Sequence, residues 1–246
     1  MQNQVVSRED WLAARKALLA EEKAMTRARD RLNEARRALP WVAVAEDYRF
    51  DTPAGPRRLS ELFEGRSQLI VYHFMLAPGW EAGCTGCSFV ADHLDGTLPH
   101  LQHHDISLVA VSRAPLAEIE AYRRRMGWHF PWVSSHGSRF NEDYHVSFPA
   151  EAMARGSIDY NYAPLPAGSA ESEMPGLSVF ARGDGGQVFH TYSSYARGLE
   201  ELLGTFMLMD RTPLGRNERG TMDWVRRHDE YAEADGKPAA AACCHD

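Results

Sequence analysis

Two cysteines separated by two residues, Cys84 and Cys87, are the residues of this sequence best suited to chemistry. This spacing brings two sulfurs together within one turn of a helix. A thiol at a helix N-terminus lies near free N–H groups and the positive end of the dipole, which can lower its pKa from about 8.5 towards 7 or below. The pattern therefore predicts that Cys84 is the nucleophile and that Cys87 resolves the mixed disulfide.

The residues around the pair are predicted to bind substrate or shape the site. Gly83 and Gly86, which flank Cys84 and Thr85, leave room for the backbone of a partner to approach. Trp80 either shields the sulfur and forms a docking surface or simply packs. Pro175 precedes a predicted strand, where a cis peptide bond would present a main-chain edge to the dithiol and a trans bond would only begin the strand. The sequence leaves both alternatives open.

Glu81, three residues before Cys84, complicates this hypothesis. A carboxylate beside the thiol would raise its pKa, and no Lys or Arg within the motif offsets that charge. The pattern therefore predicts a slow or specialised exchanger.

Metal binding is the other chemistry that such a pair can support, because Cys-x-x-Cys is half of a zinc site. The second half would have to come from Cys243, Cys244 and His245, which are weak candidates, or from the histidines. Adjacent cysteines fit a tetrahedral site poorly, and they lie in a tail of small and polar residues. We therefore expect no metal and no cofactor.

The elements that must position the pair alternate between strand and helix patterns. Ser7 caps a predicted helix that runs to about Ala38. Leu69 to Met75 and Ile106 to Ser112 are apolar runs typical of strands buried on both faces. Residues 130–133, 175–181 and 187–192 indicate further strands, residues 116–126 and 199–209 indicate helices, and residues 136–174 read as a long irregular stretch.

This order predicts parallel strands followed by an antiparallel hairpin, which resembles the thioredoxin-like fold. We expect a three-layer α/β/α arrangement with a mixed central sheet, an N-terminal helical arm and an irregular C-terminal tail. The predicted divisions are residues 1–39 for the arm, 40–210 for the thioredoxin-like domain and 211–246 for the extension and tail. The arm packs on this domain or on a second subunit, and the second arrangement would make a homodimer.

Composition narrows the class of function. The 246 residues carry a formal net charge of −7, which gives no global attraction to nucleic acid or to an anionic membrane. The N-terminus lacks a signal-peptide pattern, and the most apolar stretch, Leu69 to Leu76, is too short to span a bilayer. Two close cysteine pairs are unlike the framework of a secreted disulfide-rich domain. We expect a soluble cytoplasmic protein whose partners are protein or small-molecule disulfides and an external thiol reductant.

The sequence also resembles, nearly end to end, the domain-of-unknown-function 899 family. That resemblance implies a thioredoxin-like fold and a dithiol–disulfide oxidoreductase, with no settled substrate. The terminal Cys243-Cys244-His245 is not part of the family pattern. The residues that carry the resemblance are Trp11, Ala38-Leu39-Pro40-Trp41-Val42, Leu62-Phe63, Trp80, Gly83-Cys84-Thr85-Gly86-Cys87-Ser88, Asp92, Val111-Ser112-Arg113-Ala114-Pro115, Thr212-Pro213-Leu214-Gly215-Arg216 and Asp223-Trp224.

Two other functions remain open at this point. Val111-Ser112 and the helix after it also resemble the peroxiredoxin branch of the fold, which implies a thiol peroxidase. That branch places a threonine three residues before its peroxide-reducing cysteine, where this sequence has Glu81. The remaining alternative is a non-catalytic module whose dithiol holds a metal or binds a partner.

Overall fold

The computed structural model describes residues 3–233, so Cys243, Cys244 and His245 lie outside the described residues. The chain divides into two compact units, one ending at Trp41 and the other beginning at Val42.

The first unit is a single long helix, α1, Arg8–Arg37. The Ser7 hydroxyl accepts a hydrogen bond from the backbone N–H of Asp10 at 3.0 Å and donates to its carboxylate at 2.7 Å, which caps the first turn. Acidic residues occupy the first turn and basic residues the last, as the helix dipole favours. The capping pattern of the sequence thus begins the helix where predicted.

Residues 42–233, the described part of the second unit, contain ten strands. They are β1 Val42–Ala43, β2 Arg49–Phe50, β3 Arg57–Arg58, β4 Gln68–His73, β5 Ile106–Ser112, β6 Trp132–Ser134, β7 Ser157–Tyr160, β8 Ala163–Pro166, β9 Gly176–Arg182 and β10 Val188–Tyr195. Six form one sheet in the order β1-β10-β9-β4-β5-β6, and β2–β3 and β7–β8 are separate hairpins. Strands β4, β5 and β6 are parallel, whereas β9, β10 and β1 run antiparallel to their neighbours.

Six further helices connect these strands. They are α2 Thr85–Ala91, α3 Leu98–His103, α4 Leu116–Met126, α5 Phe140–Asp143, α6 Ala150–Ala154 and α7 Gly204–Met209. Short 3-10 turns occupy Leu59–Glu61, Asp95–Thr97, Ala167–Ser169, Ala196–Leu202 and His228–Glu233.

Each face of the central sheet has its own apolar core. Side chains of α2 and α4 pack on one face around Tyr72. Phe63, α5 and the β2–β3 region cover the other face around Val71. The mixed sheet between two covering layers, with α2 following the central strand β4, is the thioredoxin-like fold that the strand and helix patterns predict.

Two regions differ from the sequence-based expectation. Residues 136–174, predicted to be irregular, contain α5, α6 and the β7–β8 hairpin, which has a small core of its own. Residues 211–233, predicted as an extension, place Met222 and Val225 in the main core beside α2. Short elements with few apolar residues give weak periodicity, and the packing of an irregular segment depends on partners that are distant in sequence.

A row of buried polar side chains crosses the sheet from β4 to β10. His73 Nε2 lies 2.8 Å from Ser178 Oγ, which lies 2.8 Å from Ser193 Oγ, and His190 Nε2 lies 2.7 Å from the same Ser193 oxygen. Burial lowers the pKa of His73 to about 3. His73 is therefore a neutral core residue.

We predict that this burial makes stability fall in mild acid. The unfolded chain binds a proton at His73 below its ordinary pKa of 6.5, whereas the folded chain binds it only near pH 3, so stability is lost as pH falls through this window. His73 alone should lower the free energy of unfolding by about 2 kcal/mol between pH 7 and pH 5. Urea unfolding at pH 7 and at pH 5 measures this change in the free energy of unfolding.

His73→Gln should show a drop smaller by this amount, and His103→Gln, at an exposed histidine, should behave as the wild type. An undiminished drop in His73→Gln would contradict the assignment.

Candidate dithiol site

Cys84 lies at the N-cap of α2, with φ −52° and ψ 136°. Its backbone N–H donates to the carbonyl of Met75 at 3.1 Å, just beyond the end of β4. Its own carbonyl accepts hydrogen bonds from the Ser88 backbone N–H at 2.9 Å and the Ser88 hydroxyl at 2.8 Å. The loop after the central strand is thus tied back to that strand, and it presents Cys84 where α2 begins.

The two thiols differ in their access to solvent. Cys84 is half-buried, whereas Cys87 is only 2% exposed. The Cys87 sulfur accepts a hydrogen bond from the Met75 backbone N–H at 3.5 Å. A partner in solution can therefore reach Cys84 and not Cys87.

The two thiols also differ in pKa, and the more accessible one, Cys84, is the more acidic. The Cys87 thiol, the backbone N–H groups of Cys87 and Gly86, and the charge of Arg227 together outweigh burial and lower the pKa of Cys84 to about 7. Burial and the neighbouring Cys84 raise the pKa of Cys87 well above its ordinary value. The first proton to leave the pair therefore comes from Cys84, and the negative charge resides there while Cys87 stays protonated.

The cation beside the pair is Arg227, from the far end of the described chain. Its Nε and Nη2 donate to the Gly83 carbonyl at 3.1 and 2.7 Å, and its Nη1 pairs with Glu230 at 2.8 Å. Glu81 is exposed, and the pKa of Cys84 is lowered rather than raised. The expectation that the Glu81 carboxylate raises the pKa of Cys84 is therefore wrong, and the nearby positive charge comes from outside the motif.

The segment that carries Arg227 is fixed to the elements around the site. His228 Nδ1 lies 2.6 Å from the carboxylate of Asp92, the residue that ends α2. Arg125 on α4 pairs with Asp229 at 2.7 Å and Glu230 at 3.1 Å. Sequence reasoning missed the charge of Arg227 because this residue lies 143 positions after Cys84. The one sequence signal for this region was the family resemblance at Asp223-Trp224.

We predict that Arg227→Gln weakens the thiolate. Loss of the guanidinium charge should raise the pKa of Cys84 and slow its alkylation by iodoacetamide at pH 6 roughly two- to fivefold. Arg227→Lys, which retains a positive charge, should recover part of the rate. Arg226→Gln, which removes the neighbouring guanidinium, should leave the rate unchanged, and an equal loss in this control would refute a specific role for Arg227.

Gly83 has a packing reason to be glycine. A Cβ atom built there would lie 2.7 Å from Phe74 Cζ and 2.8 Å from Tyr122 Cε1, closer than side chains tolerate. The residue is buried, so its backbone is covered by the protein's own aromatic side chains. The predicted approach of a partner's backbone at Gly83 does not fit this environment.

Gly83→Ala should therefore destabilise the protein. Forcing a methyl group between two buried rings costs about 1–3 kcal/mol and displaces the loop that carries Cys84. Chemical denaturation measures the loss. Gly168→Ala is the matched control because a Cβ there meets nothing within 4 Å, and equal stability of the two variants would contradict the packing argument.

Pro175 lies on the wall of a cavity that both cysteines also line. No peptide bond among the described residues is cis, so the trans alternative holds at Pro175. Its carbonyl accepts a hydrogen bond from the Tyr160 hydroxyl at 2.7 Å. Trp80 packs against the core, and neither it nor Thr85 is among the residues that line the cavity.

Two further findings concern the residues 3–233. No group of three or more His, Cys, Asp or Glu side chains in this range is arranged to hold a metal ion. None of the helices in the range is long and apolar enough to cross a membrane.

The family comparison accounts for nearly the whole chain. The model of the family described as "Bacterial protein of unknown function (DUF899)" matches residues 1–231. The chain belongs to this family. The DUF899 match covers α1, the dithiol and the segment that carries Arg227. No curated protein matches the sequence significantly.

Solved structures with a similar fold come from two kinds of protein. A cysteine-to-serine mutant of peroxiredoxin Q from Xanthomonas campestris is 11% identical, with 69% of this chain and 98% of that chain covered and a TM-score of 0.45. Peroxidoxin BcpB from Mycobacterium tuberculosis is 15% identical, with 70% and 97% covered and a TM-score of 0.41. A secreted M. tuberculosis disulfide oxidoreductase homologous to E. coli DsbE is 15% identical, with 64% and 92% covered and a TM-score of 0.36.

Proposed function

We propose that this DUF899 protein is a thiol–disulfide oxidoreductase that uses Cys84 and Cys87 as its redox pair. The observation that carries the proposal is that the two thiols differ in accessibility and in pKa. Cys84 is accessible and has a pKa of about 7, whereas Cys87 is buried and donates a hydrogen bond to it. A nucleophile whose pKa lies near ambient pH is suited to attack a disulfide.

The reaction begins with the attack of the Cys84 thiolate on a substrate disulfide. A bond forms between Cys84 and one substrate sulfur, and the other substrate half leaves as a thiolate. Cys87 then attacks the Cys84 sulfur, the intramolecular disulfide forms, and the second substrate half leaves, with the Cys87 proton passing to the departing thiolates. Two electrons move from the protein to the substrate, and an external dithiol returns them by the reverse steps.

Formation of the mixed disulfide activates Cys87 for the second step. Besides burial, the hydrogen bond and the charge of Cys84 raise the pKa of Cys87, and both vanish once Cys84 is bonded to substrate. The Tyr72 hydroxyl and the Met75 backbone N–H remain and favour the Cys87 thiolate. Cys87 therefore becomes a stronger nucleophile only after Cys84 has bonded to the substrate.

A turnover assay tests this function. The full chain with Cys243→Ser and Cys244→Ser, reduced by a dithiol, should catalyse reduction of bis(2-hydroxyethyl) disulfide. Further replacement of Cys84 by serine should abolish catalysis. Hydrogen peroxide is the competing substrate, and rapid peroxide consumption without disulfide reduction would replace the proposal with a thiol peroxidase. Metal retained after dialysis, with no turnover of either substrate, would replace it with a binding module.

A further inference from the structure

A cavity of about 60 Å³ opens beside the sulfurs of Cys84 and Cys87. Its walls come from six separate regions of the chain: β4, α2, the end of β7, the approach to β9, the turn after β10 and the C-terminal segment. The larger aliphatic residues on these walls are Val90, Met174, Pro175, Leu199, Leu203 and Met222. The proposed reaction does not by itself require such a cavity.

The charged side chains and the Tyr160 hydroxyl on the walls are already engaged within the protein. Arg197 and Glu200 form an ion pair at 3.1 Å, and Glu200 also pairs with Arg216 at 3.4 Å. The Tyr160 hydroxyl donates to the Pro175 carbonyl at 2.7 Å and accepts from the Ala196 backbone N–H at 3.0 Å. A charged or strongly polar ligand group would lose its hydration here and gain little in return.

We propose that the preferred substrate disulfide carries a short aliphatic group, which occupies this cavity when Cys84 attacks. This inference rests on the proposed exchange reaction. An apolar cavity of about 150 Å³ holds benzene, so the smaller space here suits a short alkyl chain better than an aromatic ring. The half of the substrate that becomes bonded to Cys84 places its alkyl chain in the cavity. The other half leaves as thiolate, and Cys87 later displaces the bound half.

Two disulfides of nearly equal size test the preference. Dipropyl disulfide and bis(2-hydroxyethyl) disulfide differ only by a terminal methyl or hydroxyl on each arm. Oxidation of the reduced protein by each is followed in single turnovers, by acid quenching and mass measurement in the Cys243→Ser, Cys244→Ser background. Each rate is divided by the rate with free dithiothreitol. The propyl compound should be preferred at least about tenfold.

Met174 supplies the variant that links this preference to the cavity. Met174→Ser, at a half-buried wall residue, should remove most of the preference. Met209→Ser, at another half-buried methionine that is not on the walls, should retain it. Equal normalised rates for the two disulfides in the wild type, or an unchanged preference in Met174→Ser, would overturn the inference and leave the exchange function standing. Failure of both disulfides to oxidise the pair would overturn both.

A second arm of the experiment identifies the source of the aliphatic group. Disulfides of two tripeptides, with valine or serine after the cysteine, are compared in the same way. A higher normalised rate for dipropyl disulfide, with equal rates for the two peptides, supports a small thiol as the source. A higher normalised rate for the valine peptide than for the serine peptide as well supports an aliphatic side chain beside a protein disulfide.

Discussion

Cys87→Ser is expected to hold a stable mixed disulfide between Cys84 and the substrate thiol. Cys84 retains its access to solvent and its thiolate character in this variant, so the first attack proceeds. The second step is lost because serine is no nucleophile for a disulfide. The adduct should persist at least roughly a hundredfold longer than in the wild type, since resolution then depends on thiols from solution. Mass measurement of the intact protein after a pulse of substrate detects it.

The reverse substitution is the control for this trap. Cys84→Ser leaves Cys87, which is 2% exposed and has a raised pKa, as the sole thiol of the pair. In the Cys243→Ser, Cys244→Ser background, no adduct should form on Cys87 in this variant on the same time scale. An adduct that forms equally well on Cys87 would reverse the assignment of the two roles.

The pH dependence of Cys84 alkylation should reveal the thiolate directly. Iodoacetamide should modify Cys84 in the reduced protein with a half-maximal rate near pH 7, because its pKa is lowered to about this value. The Cys87 thiol is the largest cause of this lowering. Cys87→Ala removes the donor and should move the midpoint to higher pH. A midpoint that is higher by one pH unit corresponds to a thiolate fraction at pH 6 that is about tenfold lower.

Cys87→Ser is the matched variant for this measurement, because its hydroxyl can still donate to the Cys84 sulfur. Its midpoint should lie below that of Cys87→Ala. A wild-type midpoint at the value of a free thiol, about 8.5, would show that the surroundings do not stabilise the thiolate. Equal midpoints in the two variants would remove the hydrogen bond from the explanation.

The sequence predicted well those parts of the molecule that depend on local patterns. The capped helix from Ser7, the apolar runs of β4 and β5, and the Gly183-Asp184-Gly185-Gly186 turn between β9 and β10 all carry signals confined to neighbouring residues. These elements were enough to predict the succession of strands and helices along the chain and the thioredoxin-like fold. They also predicted that Cys84 would open a helix after the loop that follows the central strand.

The electrostatics and the walls of the site could not be predicted in this way. Arg227 reaches Gly83 from the residue just before the short 3-10 turn His228–Glu233, and Arg125 and Asp92 hold that turn. Glu81 is close to Cys84 in sequence, yet it turns to the surface. Residue spacing does not reveal which distant charge approaches a thiol, so the local carboxylate was given too much weight.

Interconversion of Cys84 and Cys87 between a dithiol and a disulfide is the property on which the proposed function depends. Redox titration of the Cys243→Ser, Cys244→Ser protein in dithiothreitol buffers of graded oxidation, with peptide mapping by mass spectrometry, tests it most directly. We expect one reversible two-electron transition between the free thiols and a Cys84–Cys87 disulfide. Two thiols that remain free at every buffer composition, and after mild oxidation, would contradict it.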